Sequence, residues 1–239
     1  MKADVGAGTA EAPHSLMDRI ADVREQLAAT CRSVGRDPSS VRLIGVTKAQ
    51  PRDDVVAAVE AGLGDIAENY VQEARSKYAG IAGARKHFIG HVQTNKAKAI
   101  VELFDVVQSI DRIDAGRAIA RVSRRLGRSP KTLVQVNISP TERYGIAPDE
   151  AHGFATQLRD DGLDVDGVMA IGPVTQDRRA IVAAFQAAAR AFERVGGTTL
   201  SLGMSDDWRE AIACGSTMVR LGTALFGARP PISGGGEVP

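Results

Sequence analysis

The sequence predicts a single (β/α)8 TIM barrel. The 239-residue chain contains eight short apolar runs with little polar–apolar alternation, as expected of parallel strands buried on both faces. Stretches with helical spacing follow most of these runs, and the chain is close to the ~250 residues typical of this barrel. A doubly wound open sheet is the alternative, because strand order cannot be derived from one sequence. The GxGxxG fingerprint and the P-loop lysine motif are both absent, which favours the barrel.

The individual elements follow from local patterns. Helical spacing with a capping or glycine boundary predicts long helices over residues 16–34, 113–126 and 181–195. Shorter helical stretches cover 53–61, 71–82 and 96–103, and two more follow Ser205 and begin at Thr223. The predicted strands are VRLIGVT from Val41, DIAEN from Asp65, KHFIG from Lys86, FDVVQSI from Phe104, TLVQVNI from Thr132, DVDGVMAI from Asp164, TTLSLG from Thr198 and TMVRLG from Thr217.

Composition limits the classes of function. With 44% hydrophobic residues the chain can form one large core over residues 13–230, between flexible tails at 1–12 and 231–239. Lys+Arg number 30 against 29 Asp+Glu, which argues against nucleic-acid or membrane partners. Cys31 and Cys214 have no metal-type spacing and are expected to be buried thiols. No secretory signal or apolar run of ~20 residues is visible, so we expect a cytoplasmic protein.

A TIM barrel places its active site at the carboxyl ends of the strands. The first strand ends in Thr47-Lys48. A lysine at this place either extends to the rim as a salt-bridge partner or lies at the mouth, where burial lowers the ammonium pKa. A neutral amine attacks an aldehyde to form a Schiff base, so the position suits that chemistry.

The last two strands carry a candidate phosphate site. Ser205 follows the seventh strand, and Gly222-Thr223 follow the eighth. Each residue alone has a structural interpretation, as an N-cap or a turn glycine. Barrels frequently bind phosphate with the loops after strands seven and eight. The combination therefore favours a phosphate cradle.

Arg220 precedes Gly222 by two residues and would point into the same mouth. A lysine, a phosphate cradle and an arginine together suit pyridoxal 5′-phosphate (PLP), with the arginine donating to the pyridine nitrogen. Because arginine stays protonated, it would leave that nitrogen without a proton. A neutral pyridine is a weaker electron sink than a pyridinium. This favours holding the cofactor, or modest α-proton chemistry, over demanding carbanion reactions.

Several long motifs resemble a known family. From about Leu16 to Pro230 the chain resembles the YggS/PROSC family of pyridoxal phosphate homeostasis proteins. The matching motifs are VTKAQP around Lys48, ENYVQE from Glu68, HFIGHVQTNK from His87, QSIDR from Gln108, VQVNIS from Val134 and LGMSDDWREAIACGSTMVRLGTALFG from Leu202.

The resemblance implies a barrel like the N-terminal domain of alanine racemase, with PLP on the lysine of the first strand. It implies that Lys48 is the Schiff-base lysine, that Arg220 lies at the pyridine and that Ser205, Gly222 and Thr223 bind the phosphate. Asn69 and His87 occupy positions that line the ring in this family. The chain departs from the family pattern at Gln50, Ile66-Ala67, Lys86, His91 and Tyr144-Gly145.

Two functions remain open. The first is a non-catalytic protein that binds and buffers PLP and delivers it to PLP-dependent apoenzymes. The second is a PLP-dependent amino-acid racemase, which needs a second acid/base on the opposite face of the cofactor. In alanine racemases the second acid/base is a tyrosine from a C-terminal β domain, for which this chain leaves no room. Tyr70 and Tyr144 are expected near the mouth and Tyr78 on an outer helix, so the carrier is favoured without excluding weak racemisation.

A metal site is disfavoured, and the surface pattern leaves the oligomeric state open. His87 and His91 have a spacing seen in some zinc sites, but no Asp, Glu or Cys cluster completes a ligand set. The resemblance implies a monomer or a weak dimer.

Overall fold

A computed structural model of the protein describes residues 15–141 and 143–227. Eight parallel strands form a closed barrel in chain order, and the first strand pairs with the eighth. This closure confirms the predicted barrel and excludes the open sheet. The strands are β1 Arg42–Val46, β2 Asp65–Glu68, β3 Arg85–Phe88, β4 Val106–Ile110, β5 Lys131–Val136, β6 Asp164–Ala170, β7 Thr199–Ser201 and β8 Met218–Leu221.

Helices alternate with the strands and surround them. They are α1 Leu16–Ser33, α2 Arg52–Glu60, α3 Val71–Lys77, α4 Ala97–Leu103, α5 Ile113–Leu126, α6 Ala151–Asp160, α7 Arg178–Val195, α8 Trp208–Ala213 and α9 Thr223–Phe226. Ser15 and Asp18 form a capping box at the start of α1, as helix-start signals predict. The predicted helix over 71–82 is too long, because α3 ends at Lys77 and Gly80 adopts a φ of 71°.

The structure describes both cysteines but not the ends of the chain. The predicted tails at 1–12 and 231–239, with the domain ends at 13–14 and 228–230, lie outside the described residues. Both cysteines are free; Cys31 is buried, whereas Cys214 is only partly buried. Among the described residues, no helix has the length and apolar character needed to cross a bilayer.

The barrel has an apolar outer layer and a partly polar interior. Large apolar side chains such as Phe104, Phe185 and Leu158 fill the space between strands and helices. Inside the barrel a smaller cluster consists of Ile44, Val46, Ala67 and Met218. The remaining inward positions include four buried polar side chains, namely His87, Gln108, Ser201 and Arg220. Buried polar groups must find hydrogen-bond partners, so these side chains are expected to bond to one another below the mouth.

Candidate functional site

The carboxyl end of the barrel contains a cavity of about 300 Å³, at the lower end of the range for small-ligand pockets. It is lined by Val46, Lys48, Gln50, Met204, Ser205, Asp206, Arg220, Gly222 and Thr223. The structure therefore brings together five of the seven residues predicted to bind the cofactor. They come from three places: the loop after β1, the loop after β7, and the end of β8 with the residues that follow it.

Lys48 belongs to a tight turn directly after β1. The backbone N–H of Gln50 donates to the carbonyl oxygen of Thr47 at 3.0 Å, which closes the turn around the lysine. Ala49 has a φ of 59° and is the one non-glycine residue in the described part of the chain with a positive φ. Lys48 itself is partly buried, so it lies at the mouth and not on the outer rim.

The opposite wall presents backbone donors. No described residue accepts a hydrogen bond from the backbone N–H groups of Ser205, Gly222 or Thr223. The Ser205 loop is held by Asp207, whose carboxylate accepts from the backbone N–H of Met204 at 2.6 Å. Burial raises the pKa of Asp207, while its hydrogen bond from Met204 and the charge of Arg220 act in the opposite direction. Backbone N–H groups converging beside a lysine and an arginine favour an anionic ligand.

Arg220 is held rigidly at the floor of the cavity. Its Nη1 donates to the carbonyl oxygen of Ser201 at 2.9 Å and to Ser201 Oγ at 2.7 Å, and its Nη2 donates to the carbonyl oxygen of Ala170 at 2.9 Å. Burial lowers the pKa of Arg220 to about 10, so the guanidinium stays charged near neutral pH. Its Nε–H makes no hydrogen bond with a described residue, which leaves that donor for the cavity.

A column of polar side chains continues below Arg220. Ser201 Oγ donates to Gln108 Oε1 at 2.7 Å, and Gln108 Nε2 lies 2.9 Å from His87 Nδ1. On the other side of the imidazole, His87 Nε2 lies 2.9 Å from Asp65 Oδ1. The column connects the cavity floor to the amino-terminal end of the barrel, where Asp65 also meets Arg85 at 3.4 Å.

The other two predicted site residues, Asn69 and His87, do not line the cavity. His87 is fully buried inside the barrel, because strand alternation directs it inward one layer below the mouth. Asn69 lies on the loop after β2, where Glu68 Oε1 accepts from its backbone N–H at 2.8 Å. Its side-chain Oδ1 is buried without a hydrogen-bond partner among the described residues. The role of these two residues at the cofactor ring stays a prediction.

Of the three tyrosines, Tyr144 lines a second and larger cavity, Tyr70 is exposed and Tyr78 is buried. A second cavity of about 820 Å³ is lined by Gln135, Val136, Asn137, Arg143, Tyr144, Gly145 and Ile171. Tyr144 is 63% exposed and stacks on His91 with ring centroids 4.2 Å apart. Tyr70 is exposed at the start of α3, whereas Tyr78 is buried with its hydroxyl 2.9 Å from Thr47 Oγ1. No cluster of three or more potential metal ligands occurs in the part of the chain that the structure describes.

Several residues at the site act through tertiary contacts and are not among those predicted from the sequence. Met204 and Asp206 line the cavity, and both lie in a motif already singled out for Ser205. Ser201 holds Arg220 directly and Gln108 supports it through Ser201, and their signal is a polar residue at an inward position of a buried strand. Glu73 and Lys77 contact the Lys48 turn, and their signal is an acidic and a basic residue four positions apart on one helix.

Comparison with known proteins gives the family. Residues 22–230 match the family model described as alanine racemase, N-terminal domain. The pyridoxal phosphate homeostasis protein of Pseudomonas aeruginosa is 40% identical over 225 residues, covering 90% of this chain and 96% of that protein. The protein of the same name from Escherichia coli K12 is 36% identical over 234 residues, covering 90% and 97%. The structure of PipY from Synechococcus elongatus with PLP bound has a TM-score of 0.77 and 33% identity, covering 89% of this chain and 100% of that one.

Both the extent of the family match and the identity to full-length relatives support one assignment. The chain belongs to the alanine racemase N-terminal domain family and, within it, to the pyridoxal phosphate homeostasis proteins.

Proposed function

We propose that this chain binds PLP in the Lys48 cavity and serves intracellular PLP homeostasis by storing the cofactor without strong catalysis. The observation that carries the proposal is the composition of one cavity, which combines an amine, a buried guanidinium and unpaired backbone donors. The names of the relatives and the PLP-bound PipY structure support the same ligand.

Each part of the cavity suits one part of PLP. The N–H groups of Ser205, Gly222 and Thr223 would hold the phosphate, because backbone donors bind phosphate oxygens well. The Nε–H of Arg220 would face the pyridine side, and the guanidinium would remain charged since its pKa is about 10. PLP supplies an aldehyde when it is bound. The amine of Lys48 would attach it there as a Schiff base with loss of water, a bond that hydrolysis reverses.

The cavity favours storage over racemisation. Lys48 and Asp206 are the general bases among the described residues that line it, and no tyrosine, histidine or cysteine is present there. Two-base racemisation needs a proton donor and acceptor on opposite faces of the cofactor, and the tyrosine that takes the second position in alanine racemases has no counterpart in this lining. Arg220 adds a second obstacle, because an arginine does not provide a protonated pyridine as electron sink.

A stored cofactor has to be released to be useful. Since the bond to Lys48 is reversible and the mouth is open, we propose a cytoplasmic carrier that delivers PLP to PLP-dependent apoenzymes. We propose that it acts as a monomer or a weak dimer.

The first experiment is to incubate the purified protein with PLP, reduce it with borohydride and map the modified peptide. The expected result is a visible absorbance band that disappears on reduction, with the label on Lys48. Lys48→Ala should bind PLP without covalent attachment, while Lys98→Ala, an exposed lysine on α4, should behave as the parent. A protein that takes up no PLP, or one labelled equally after Lys48→Ala, would overturn the proposal.

A second experiment separates the carrier from the racemase. The PLP-loaded protein is incubated with L- or D-alanine in D₂O, and deuterium at the α-carbon is followed by NMR. The carrier predicts exchange no faster than with free PLP. Sustained exchange with loss of optical purity would establish the racemase instead.

A further inference from the structure

The peptide groups on both sides of Lys48 are held by the same pair of residues on α3. The carbonyl oxygen of Thr47, which precedes Lys48, accepts a hydrogen bond from Lys77 Nζ at 2.7 Å. The backbone N–H of Ala49, which follows it, donates to Glu73 Oε2 at 3.0 Å. Glu73 and Lys77 are themselves paired at 2.5 Å, one helical turn apart. The pair thus forms a clamp across the residue proposed to carry the cofactor.

At one end of the clamp, Lys77 is buried and all the donors of its ammonium group are hydrogen-bonded. Its ammonium group donates to the Thr47 carbonyl oxygen, to Glu68 Oε2 at 2.9 Å and to Glu73 Oε2. An ammonium group has three donors, so Lys77 has none left for a ligand. The side chains of Lys77 and Glu68 are 10% and 0% exposed. Glu68 also accepts from the backbone N–H of Asn69, which ties the clamp to the end of β2.

The Glu73 end holds the strained part of the turn. Ala49 adopts a φ of 59°, a left-handed conformation that residues with a Cβ rarely take. Such a conformation persists only where the surroundings impose it. The bond from the Ala49 N–H to Glu73 is one of the contacts that do so, since it fixes the orientation of the peptide group after Lys48. Without it the turn would be free to relax and to move the lysine.

We infer that Glu73 and Lys77 are positioning residues, which fix the backbone of Lys48 so that its amine meets the PLP aldehyde. This inference rests on the proposed function. Phosphate contacts and Arg220 would fix the cofactor in the cavity, so the lysine must be fixed from the opposite side. Attachment is sensitive to such placement, because a shift of about 1 Å in a reacting group costs on the order of 100-fold in rate.

Glu73 offers a test that leaves the fold intact. Its side chain is 35% exposed, and its removal leaves Lys77 paired with Glu68 and with the Thr47 carbonyl oxygen. Removing Lys77 would instead leave the buried Glu68 without its cation, which is strongly destabilising. Glu73→Ala removes both the charge and the acceptor for the Ala49 N–H. Glu73→Gln keeps a carbonyl acceptor in the same place.

A matched control exists on the neighbouring helix. Glu102 is 38% exposed and pairs with Lys98 across one turn of α4, so Glu102→Ala removes an equivalent surface pair far from the cavity. All four proteins are mixed with PLP, quenched with borohydride at increasing times, and the label on Lys48 is measured. Hydrogen exchange of the Ala49 amide is followed in parallel without PLP.

We expect attachment to slow about tenfold or more in Glu73→Ala, from the placement sensitivity above, with faster exchange of the Ala49 amide. Glu73→Gln should restore most of the rate, and Glu102→Ala should match the parent. If Glu73→Ala attaches PLP at the parent rate, or its Ala49 amide stays protected, the positioning role is wrong while the proposed function stands. If the parent protein itself attaches no PLP to Lys48, the proposed function is wrong and this inference is wrong with it.

Discussion

Arg220 and His87 are joined through Ser201 and Gln108 by three consecutive hydrogen bonds of 2.7, 2.7 and 2.9 Å. Arginine can only donate, so Ser201 Oγ accepts from Arg220 and gives its own proton to Gln108 Oε1. The amide of Gln108 must then direct its NH₂ group toward His87 Nδ1. His87 is therefore neutral, with its proton on Nε2 facing Asp65.

This ordering predicts the result of removing Gln108. Gln108→Leu leaves the hydroxyl proton of Ser201 without an acceptor and His87 Nδ1 without a donor inside the barrel, and each unpaired buried group costs about 1–3 kcal/mol. We expect the free energy of unfolding, measured by urea denaturation, to fall by about 2–4 kcal/mol, together with weaker PLP binding because Arg220 loses its support. Gln157→Leu on the exposed face of α6 is the control and should change little. Equal free energies of unfolding for Gln108→Leu and Gln157→Leu would show that the hydrogen-bonded column does not stabilise the barrel.

The neutral state of His87 predicts a dependence of stability on pH. Burial lowers the pKa of His87, opposed by its hydrogen bond to Asp65, whereas an unfolded histidine titrates near ~6.5. Below that pH the unfolded chain binds a proton that the folded chain does not. The free energy of unfolding should therefore fall with decreasing pH, by up to about 1.4 kcal/mol per pH unit from this group, until the lowered pKa is reached.

The contribution of His87 can be isolated with His87→Asn. Its stability and that of the parent are measured by urea denaturation at about pH 7.5 and pH 5.5, on either side of the unfolded pKa. The parent should lose more stability than the variant over this interval. Parallel pH dependence of the two proteins would show that His87 does not resist protonation.

The proposed phosphate site predicts that a substitution of Ser205 weakens binding of PLP but not of pyridoxal. Ser205→Ala removes one hydroxyl beside the proposed phosphate position, and a hydrogen bond to a charged group contributes about 1.5–3 kcal/mol. We expect PLP affinity to fall about tenfold, at ~1.4 kcal/mol per factor of ten, whereas affinity for pyridoxal, which lacks the phosphate, should not change. Ser33→Ala on the exposed end of α1 is the control. An equal loss of affinity for PLP and for pyridoxal would show that Ser205 does not contact the phosphate.

Substitution by alanine is expected to have opposite effects on stability at Gly90 and at Gly153. A Cβ at Gly90 would lie 1.9 Å from the carbonyl oxygen of Asn69, while a Cβ at Gly153 would meet nothing within 4 Å. Gly90→Ala should destabilise the protein by about 3 kcal/mol or more, because backbone must move at the mouth. Gly153→Ala lies within α6 and should stabilise it by about 0.5–1 kcal/mol, since alanine favours helix over glycine. Thermal and urea denaturation measure both, and a tolerated Gly90→Ala would show that the loop after β2 adapts.

Local sequence was sufficient to locate the strands and helices. Each strand coincides with a predicted apolar run, and most helices begin and end near their predicted residues, because side-chain periodicity and glycine or capping residues act within a few positions of the chain. The same local information located Lys48, Ser205, Gly222 and Thr223, since strand ends of a parallel barrel meet at one mouth.

Tertiary structure alone decided which side chains meet across the barrel. Residues 65, 87, 108, 201 and 220 are far apart in the chain, and their column forms because closure of β1 on β8 brings their inward positions together. The same closure placed His87 below the cavity and not at its wall. The clamp of Glu73 and Lys77 on the Lys48 turn likewise depends on how α3 packs beside β2 and reaches the turn after β1. Strand alternation tells which face a residue takes, but the partner it finds there depends on the register of strands distant in sequence.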